Sequence, residues 1–331
     1  MVKLLAVVQT INGPILEDRP IPSLKPDDVL IRMEYAGVCG TDLAIIRGDY
    51  KVPLPLILGH EFAGHVKEVG ASITDIQPGD RVTAEINLTC GTCPFCMIGL
   101  RTHCTNVRAI GIFADGAFAD YIVMPRQNVH LLPKALDTKR AVFVEPLAAV
   151  LQAFRLTHVE PSETIVILGT GRLGLLAIQI AKLTGTKVIA INRSLEKLKL
   201  AHTYGTDLCL STIDPTWQKH LKEETKIGPK YIFESTGKGN MLNIALELIR
   251  PQGTILMKST PGSYSEVNTT KLVVKEVTLQ GSRCGPFPPA IDLLNRGLVK
   301  VDSMMQDVLP LKDGVRALEI ASNKIKVLLH T

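Results

Sequence analysis

The run Thr164-Ile165-Val166-Ile167-Leu168 passes directly into Gly169-Thr170-Gly171-Arg172-Leu173-Gly174 and then into a helical stretch, Leu175 to Leu183. No other feature narrows the fold as far. An apolar strand that ends in G-x-G-x-x-G and opens a helix is the entry to a dinucleotide site. Gly169 permits the tight turn, Gly171 lets the backbone approach a pyrophosphate, and Gly174 lets the helix pack on the sheet. A glycine-rich turn of another α/β protein is the competing reading, and the strand-to-helix context weighs against it. Around this turn the pattern predicts strands near 164–169, 187–192, 231–236, 253–259 and 277–282, with helices between most of them. Such alternation builds a parallel sheet covered on both faces.

An NAD site normally carries an acidic residue roughly 20 residues beyond the glycines, at the end of the second strand. Here the strand Lys187 to Ile191 ends in Asn192-Arg193-Ser194, with Lys197 close behind. A carboxylate there repels a 2′-phosphate, whereas these side chains donate to one, Arg193 as a planar cation. NADP(H) is therefore favoured over NAD(H), unless Arg193 is only a solvated surface residue.

Before about Val144 the chain reads differently. Short β-rich runs such as Val29-Leu30-Ile31-Arg32-Met33, Phe62 to Val69 and Arg81-Val82-Thr83-Ala84 are broken by Gly, Pro and Asp, as in a folded-over β domain. Within it, Cys90, Cys93, Cys96 and Cys104 follow the spacing C-x2-C-x2-C-x7-C. Four thiolates so placed close a tetrahedron around Zn²⁺ with no open position, which marks a structural site. A chance cluster of buried thiols or a redox pair explains the spacing less well. Cys209 and Cys284 read as packing residues.

Three further segments are unremarkable singly: Gly37-Val38-Cys39-Gly40-Thr41-Asp42, Gly59-His60-Glu61-Phe62-Ala63-Gly64 and Val144-Glu145-Pro146. Taken with the cysteine lobe and the glycine turn, the whole chain resembles the zinc-containing medium-chain alcohol dehydrogenases. The resemblance runs from Cys39 through the signature beginning Gly59-His60-Glu61 and reaching Gly70, to the closing strand Ile325-Lys326-Val327-Leu328. It implies an α/β chain: a GroES-like β-rich catalytic domain over 1–146 and 284–331, and a Rossmann doubly wound parallel-sheet domain over 147–283. By the same resemblance, Cys39, His60 and Glu145 hold a catalytic zinc whose fourth position is open. Glu61 is then a flexible carboxylate that exchanges with water beside the metal, and Asp42 orients the imidazole. Glu145-Pro146-Leu147 is similar to the sorbitol, threonine and archaeal glucose dehydrogenase branches, where the third ligand is Glu.

The activity implied is hydride transfer between a secondary alcohol, polyol or sugar and nicotinamide, with the metal as Lewis acid and Thr41 as first proton relay. One departure stands out. Many members continue the relay with a His two residues after the C-G-T-D motif, but here Leu43 is followed by Ala44. The outer relay must use water or another group, and a straightforward threonine or sorbitol dehydrogenase is disfavoured. Ser235-Thr236, Lys258-Ser259-Thr260 and Ser282-Arg283 follow strands where ligands bind in an open α/β sheet. Plain strand-to-helix connections explain each of them equally well.

Composition bounds the rest. The chain has 331 residues, enough for two domains, and 37 basic against 32 acidic residues without a dense basic block. That offers nothing to nucleic acid. No apolar run approaches the roughly 18–20 residues of a membrane span, and Met1 to Val8 reads as a first strand, not a signal peptide. The expected partners are a small alcohol or carbonyl and further copies of the chain, as a dimer or tetramer, in the cytoplasm. A zinc ribbon usually pairs two C-x-x-C knuckles about 15–20 residues apart, unlike this lobe. A silent nucleotide-binding relative and a zinc-free quinone-reductase-like relative are both opposed by the intact Cys39, Thr41, His60 and Glu145, and an NAD-preferring threonine or sorbitol dehydrogenase-like enzyme is the alternative activity.

Overall fold

Five consecutive β-branched or leucine-rich residues suit a strand buried on both faces, and Thr164–Leu168 lies inside a parallel sheet. The computed structural model describes residues 3–260 and 264–331. Contacts divide it into one unit of Met1–Glu145, Phe287–Gly297 and Val301–Thr331, and a second of Pro146–Pro286 and Leu298–Lys300.

In the second unit the sheet order is Leu208–Ser211, Lys187–Asn192, Thr164–Leu168, Tyr231–Glu234, Thr254–Met257 and Thr278–Gly281, every neighbour parallel. Alternate residues Val166, Leu168, Ile189, Ile191, Ile232 and Ile255 pack in one cluster with Leu221, Leu242, Ala245 and Leu246 from the crossover helices. Burying such side chains contributes about 1.5–3 kcal/mol each. Edge strand Leu208–Ser211 escaped the sequence reading, since four residues with one fully apolar pair carry little periodicity.

In the first unit a three-stranded sheet is ordered Gly13–Pro20, Lys3–Thr10, Leu56–Ile57. The strand expected from Met1 is described from Lys3; Met1 and Val2 lie outside the described residues. A larger sheet runs Val129–Leu131, Arg81–Ala84, Glu61–Val69, Asp28–Gly37, Lys326–His330, Met305–Pro310, with Tyr121–Pro125 also paired to Asp28–Gly37. A helix, Phe287–Asn295, belongs to this unit, and the closing strand is Lys326–His330. Strand Met305–Pro310 and helix Gly314–Ile320 were not anticipated.

Register in this sheet gathers distant parts of the sequence. Gly37 stands opposite Glu61 on one side and Leu328 on the other. Chain leaving Gly37 therefore runs to Cys39 beside the chain that enters the next strand through His60, with the start of the last strand alongside both.

Candidate active site

Cys39 is the N-cap of the short helix Gly40–Ile46, and Asp42 at its third position accepts a 2.7 Å bond from the Cys39 N–H. The box fixes the loop that presents the thiol. Asp42 is fully buried; its other oxygen accepts from Gly59 N–H at 3.3 Å and lies 3.5 Å from His60 Nδ1. That last contact is long for a hydrogen bond, so Asp42 acts on the imidazole chiefly by charge. Gly59 has φ of +91°, and a Cβ there would meet the Phe118 ring at 2.2 Å. Only glycine makes this entry into the strand.

The ligand atoms of Cys39, His60 and Glu61 all lie within 4.8 Å of one another. His60 and Glu61 are buried, at 3% and 1% exposure. Burial pushes the Cys39 thiol up, but adjacent His60 outweighs it and brings the thiol down to about 6. Burial also disfavours charge on His60, yet Asp42 and Cys39 hold its pKa well above the ordinary imidazole value. A thiolate, an imidazole and a carboxylate at one point are a donor set for Zn²⁺, and the orphaned His60 Nδ1 is the nitrogen that Asp42 faces.

Cys90, Cys93, Cys96 and Cys104 form a second group, their sulfurs within 4.8 Å of each other. Cys93 is the N-cap of Pro94–Met97, with Pro94 in the first turn, so two of the thiols flank one helical turn. Backbone N–H groups aim at the sulfurs: Cys90 N and Asn106 N donate to Cys104 Sγ at 3.4 and 3.3 Å. The N–H groups of Thr92 and Cys93 lower the Cys90 thiol. Those of Cys96 and Thr105 bring Cys93 down to about 6. Burial and then the neighbouring Cys93 push Cys96 up to about 11. Donors directed at four thiols fit a thiolate-bound cation.

In the second unit the glycine turn has the shape that its motif requires. Gly169 has φ of +91°, and a Cβ on Gly174 would lie 1.9 Å from the Gly169 carbonyl. Beside Gly171, by contrast, a Cβ meets nothing within 4 Å, and this N-cap of the helix Arg172–Leu183 makes no side-chain cap bond. Open space at an uncapped helix N-terminus is a cradle for a diphosphate. Thr170 is fully buried and its hydroxyl has no partner among the described residues, and Leu173 and Arg172 are half-buried.

Two family models match: the alcohol dehydrogenase GroES-like domain over residues 25–134 and the zinc-binding dehydrogenase domain over 173–296. D-arabitol-phosphate dehydrogenase of Enterococcus avium is 34% identical over 326 residues, covering 95% of this chain and 93% of its own. The chain belongs to the zinc-containing medium-chain alcohol dehydrogenase family. A sorbitol dehydrogenase of Halalkalibacterium halodurans is 31% identical, with 98% of each chain covered. Among solved structures, a zinc-binding dehydrogenase from Sinorhizobium meliloti 1021 bound to NADP superposes with a TM-score of 0.92, at 31% identity and full coverage of both chains. This dehydrogenase is thus an oxidoreductase of the alcohol dehydrogenase type, with GroES-like and Rossmann parts.

Against that family background, the candidate residues separate. Glu145 stands in the first turn of the helix Val144–Leu156 and is not one of the mutually close Cys39, His60 and Glu61 set. Thr41 Oγ1 lies 3.9 Å from Cys39 Sγ. Asn192 accepts the Ser194 N–H at 2.9 Å, and Ser194 caps the following helix by accepting the Lys197 N–H at 3.3 Å, while Arg193 is exposed. Lys258 turns its ammonium to the carbonyls of Ser282 and Arg283, so it braces that loop. Ser259 accepts the Gly237 N–H at 2.7 Å, Thr260 is exposed, and the buried Ser282 hydroxyl has no partner among the described residues. Phe118 is fully buried core, while the rings of Tyr50 and Phe113 lie 6.3 Å apart between centroids.

One residue beside Cys39, His60 and Glu61 went unnoticed in the sequence. Lys326 is wholly buried and ion-paired with Glu61, donates to Val38 C=O at 3.3 Å, and lies 5.6 Å over the Phe143 ring. A side chain on Gly37 would occupy its place, with Lys326 Cε at 2.5 Å from the added carbon. Burial draws its ammonium down to about 8, opposed by the negative charges of Cys39 and Asp42. A buried lysine is the rarest of core residues, and here it supplies the counter-charge that a carboxylate and thiolate need.

Proposed function

We propose that this dehydrogenase oxidises a secondary hydroxyl of a polyol or sugar-like substrate, or reduces the matching carbonyl, with NADP(H) favoured over NAD(H). The convergence of Cys39, His60 and Glu61 within 4.8 Å carries the proposal. Cys39, His60 and Glu145 would hold a catalytic zinc with Glu61 beside it, and Cys90, Cys93, Cys96 and Cys104 would hold a second, structural one. Bound zinc supplies Lewis acidity toward the reacting oxygen. The side chains do the rest. Asp42 holds His60, and Lys326 neutralises Glu61. Thr41 takes the hydroxyl proton and hands it to water, since Ala44 offers no further relay group. Gly169 to Gly174, with Arg172 and Leu173 opening the helix, receives the pyrophosphate.

Substrate class follows the arabitol-phosphate and sorbitol relatives, both acting on open-chain polyols by name. Among the described residues no helix is long and apolar enough to cross a membrane. Cysteines used as metal ligands suit the reducing cytoplasm. The outer strand Thr278–Gly281 leaves one sheet edge for another copy to cover, which supports a dimer or tetramer. A metal assay should return two zinc ions per chain. Turnover of an alcohol, polyol and polyol-phosphate panel at matched NAD(H) and NADP(H) then tests the activity, and failure of every polyol ends the substrate proposal.

The 2′-phosphate argument has its own test. Asn192 and Ser194 each accept from the backbone, which leaves the amide and hydroxyl hydrogens to donate, and Arg193 adds a cation. Arg193→Asp is expected to raise the KM for NADP(H) on the order of tenfold or more, the scale of a lost charge-assisted hydrogen bond. The KM for NAD(H) is expected to hold or fall. Equal losses with both dinucleotides, or a wild-type preference for NAD(H), refute the assignment.

A further inference from the structure

Glu234 is the last residue of the strand Tyr231–Glu234 and only 2% of it is exposed. Its neighbours along the strand are apolar, and among the described residues no cation pairs with it. One carboxylate oxygen instead accepts two bonds from a residue two positions on, from Thr236 N at 2.8 Å and Thr236 Oγ1 at 2.5 Å. A carboxylate kept this far from water survives because donors compensate it, and a neutral residue would fill the space at less cost.

What Thr236 touches explains the choice. A Cβ on Gly169 would meet Thr236 Cγ2 at 3.1 Å and the Ser235 carbonyl at 3.2 Å, so this loop is the floor under the glycine turn. Ser235 ties the two together: its N–H donates to Leu168 C=O at 3.0 Å and its hydroxyl to Gly169 C=O at 3.0 Å. The next loop is tied in as well, through Gly237 N to Ser259 Oγ at 2.7 Å and Lys258 N to the Glu234 carbonyl at 2.9 Å. Within this web only Glu234 brings a buried formal charge.

We propose that Glu234 is a positioning residue for the dinucleotide turn: through Thr236 its carboxylate fixes the loop on which Gly169 rests. The proposal rests on the reading of Gly169 to Gly174 as the dinucleotide site. Pre-organised backbone donors bind a diphosphate well only if their positions are held, and small displacements are costly. Loosening the floor therefore weakens dinucleotide binding and leaves the metal chemistry intact.

The test uses the zinc-loaded full chain and titrates NADPH and NADH by nicotinamide fluorescence, without substrate. Glu234→Leu fills the space but accepts no bonds, and Glu234→Gln keeps an oxygen that accepts both. Glu234→Leu is expected to raise the dinucleotide Kd and KM about tenfold or more, the effect of losing charge-assisted bonds. Zinc content and the KM for the alcohol are expected to stay at wild-type values, with most of the binding regained in Glu234→Gln. Should Glu234→Leu not fold, Glu234→Asp, one methylene shorter, carries the same expectation. A lower melting temperature with an unchanged Kd shows mere structural support and overturns the proposal. If the wild type binds neither dinucleotide, the reading of the glycine turn itself fails; tight wild-type binding that the variants do not alter removes Glu234 alone.

Discussion

Cys39→Ser is expected to cut kcat/KM by about 10³-fold or more, the value of several kcal/mol of Lewis-acid stabilisation, and to remove one zinc ion per chain while the other stays. The loss is chemical and not one of folding. Cys39 caps its helix through its backbone, whose N–H goes to Asp42, and serine is a good residue at such a position. The melting temperature of the metal-free protein is therefore expected to change little. Cys104→Ser should behave in the opposite way. Cys104 is buried at 3% exposure and its sulfur collects two backbone N–H groups, so its loss releases the other ion and loosens residues 90–104 to protease, with the remaining metal still at Cys39. Metal analysis, a melt and a rate for each variant check the pair. Wild-type turnover by Cys39→Ser, or loss of both ions from either single variant, would remove the two-site account.

Those parts of the molecule that a local pattern specifies were legible beforehand. The three glycines of the turn stand at fixed offsets for separate reasons: Gly169 has a φ of +91°, Gly171 leaves open space at the helix N-terminus, and a Cβ on Gly174 would lie 1.9 Å from the Gly169 carbonyl. The four-cysteine lobe is likewise local: its ligands come from one stretch of chain, and a short helix and a turn bring them together. Central strands with continuous apolar runs announced the parallel sheet. Two outer strands, Leu208–Ser211 and Met305–Pro310, were not announced in this way, since pairing with a neighbour and not their own composition makes them strands.

The candidate metal group of Cys39, His60 and Glu61 could be suspected only by resemblance, because sheet register assembles it from segments that carry no mark of one another. Cys39 and Glu61 sit together because Gly37 pairs with Glu61, a fact of three dimensions. Lys326 is the extreme case. In sequence it is a lysine flanked by Ile325 and Val327, which in an alternating strand reads as the solvent face. The strand lies instead between two others, and Gly37 across the ladder leaves the room that the aliphatic stem fills. Glu234 was missed in a similar way: a carboxylate at a strand end reads as solvated until its burial is known.

Lys326→Met provides the sharpest energetic test of this site. Lys326 and Glu61 are each about 1% exposed, so the full cost of an unpaired charge applies, and removing one partner of such a pair costs about 3–5 kcal/mol. In the metal-free protein Lys326→Met is accordingly expected to lose that much in chemical denaturation. Methionine keeps most of the stem volume against Gly37 and Phe143, so the loss reports charge more than packing. The double variant Lys326→Met with Glu61→Gln, which leaves no charge behind, is expected to recover most of it. Zinc should change the comparison. Without its lysine the Glu61 carboxylate can be neutralised by the metal, so Lys326→Met is expected to gain more stability from added zinc than the wild type does, and turnover falls as the carboxylate occupies the position that substrate needs. Equal zinc-induced stabilisation of the two proteins, or a single variant as stable as the wild type without metal, would mean that the lysine does not restrain Glu61.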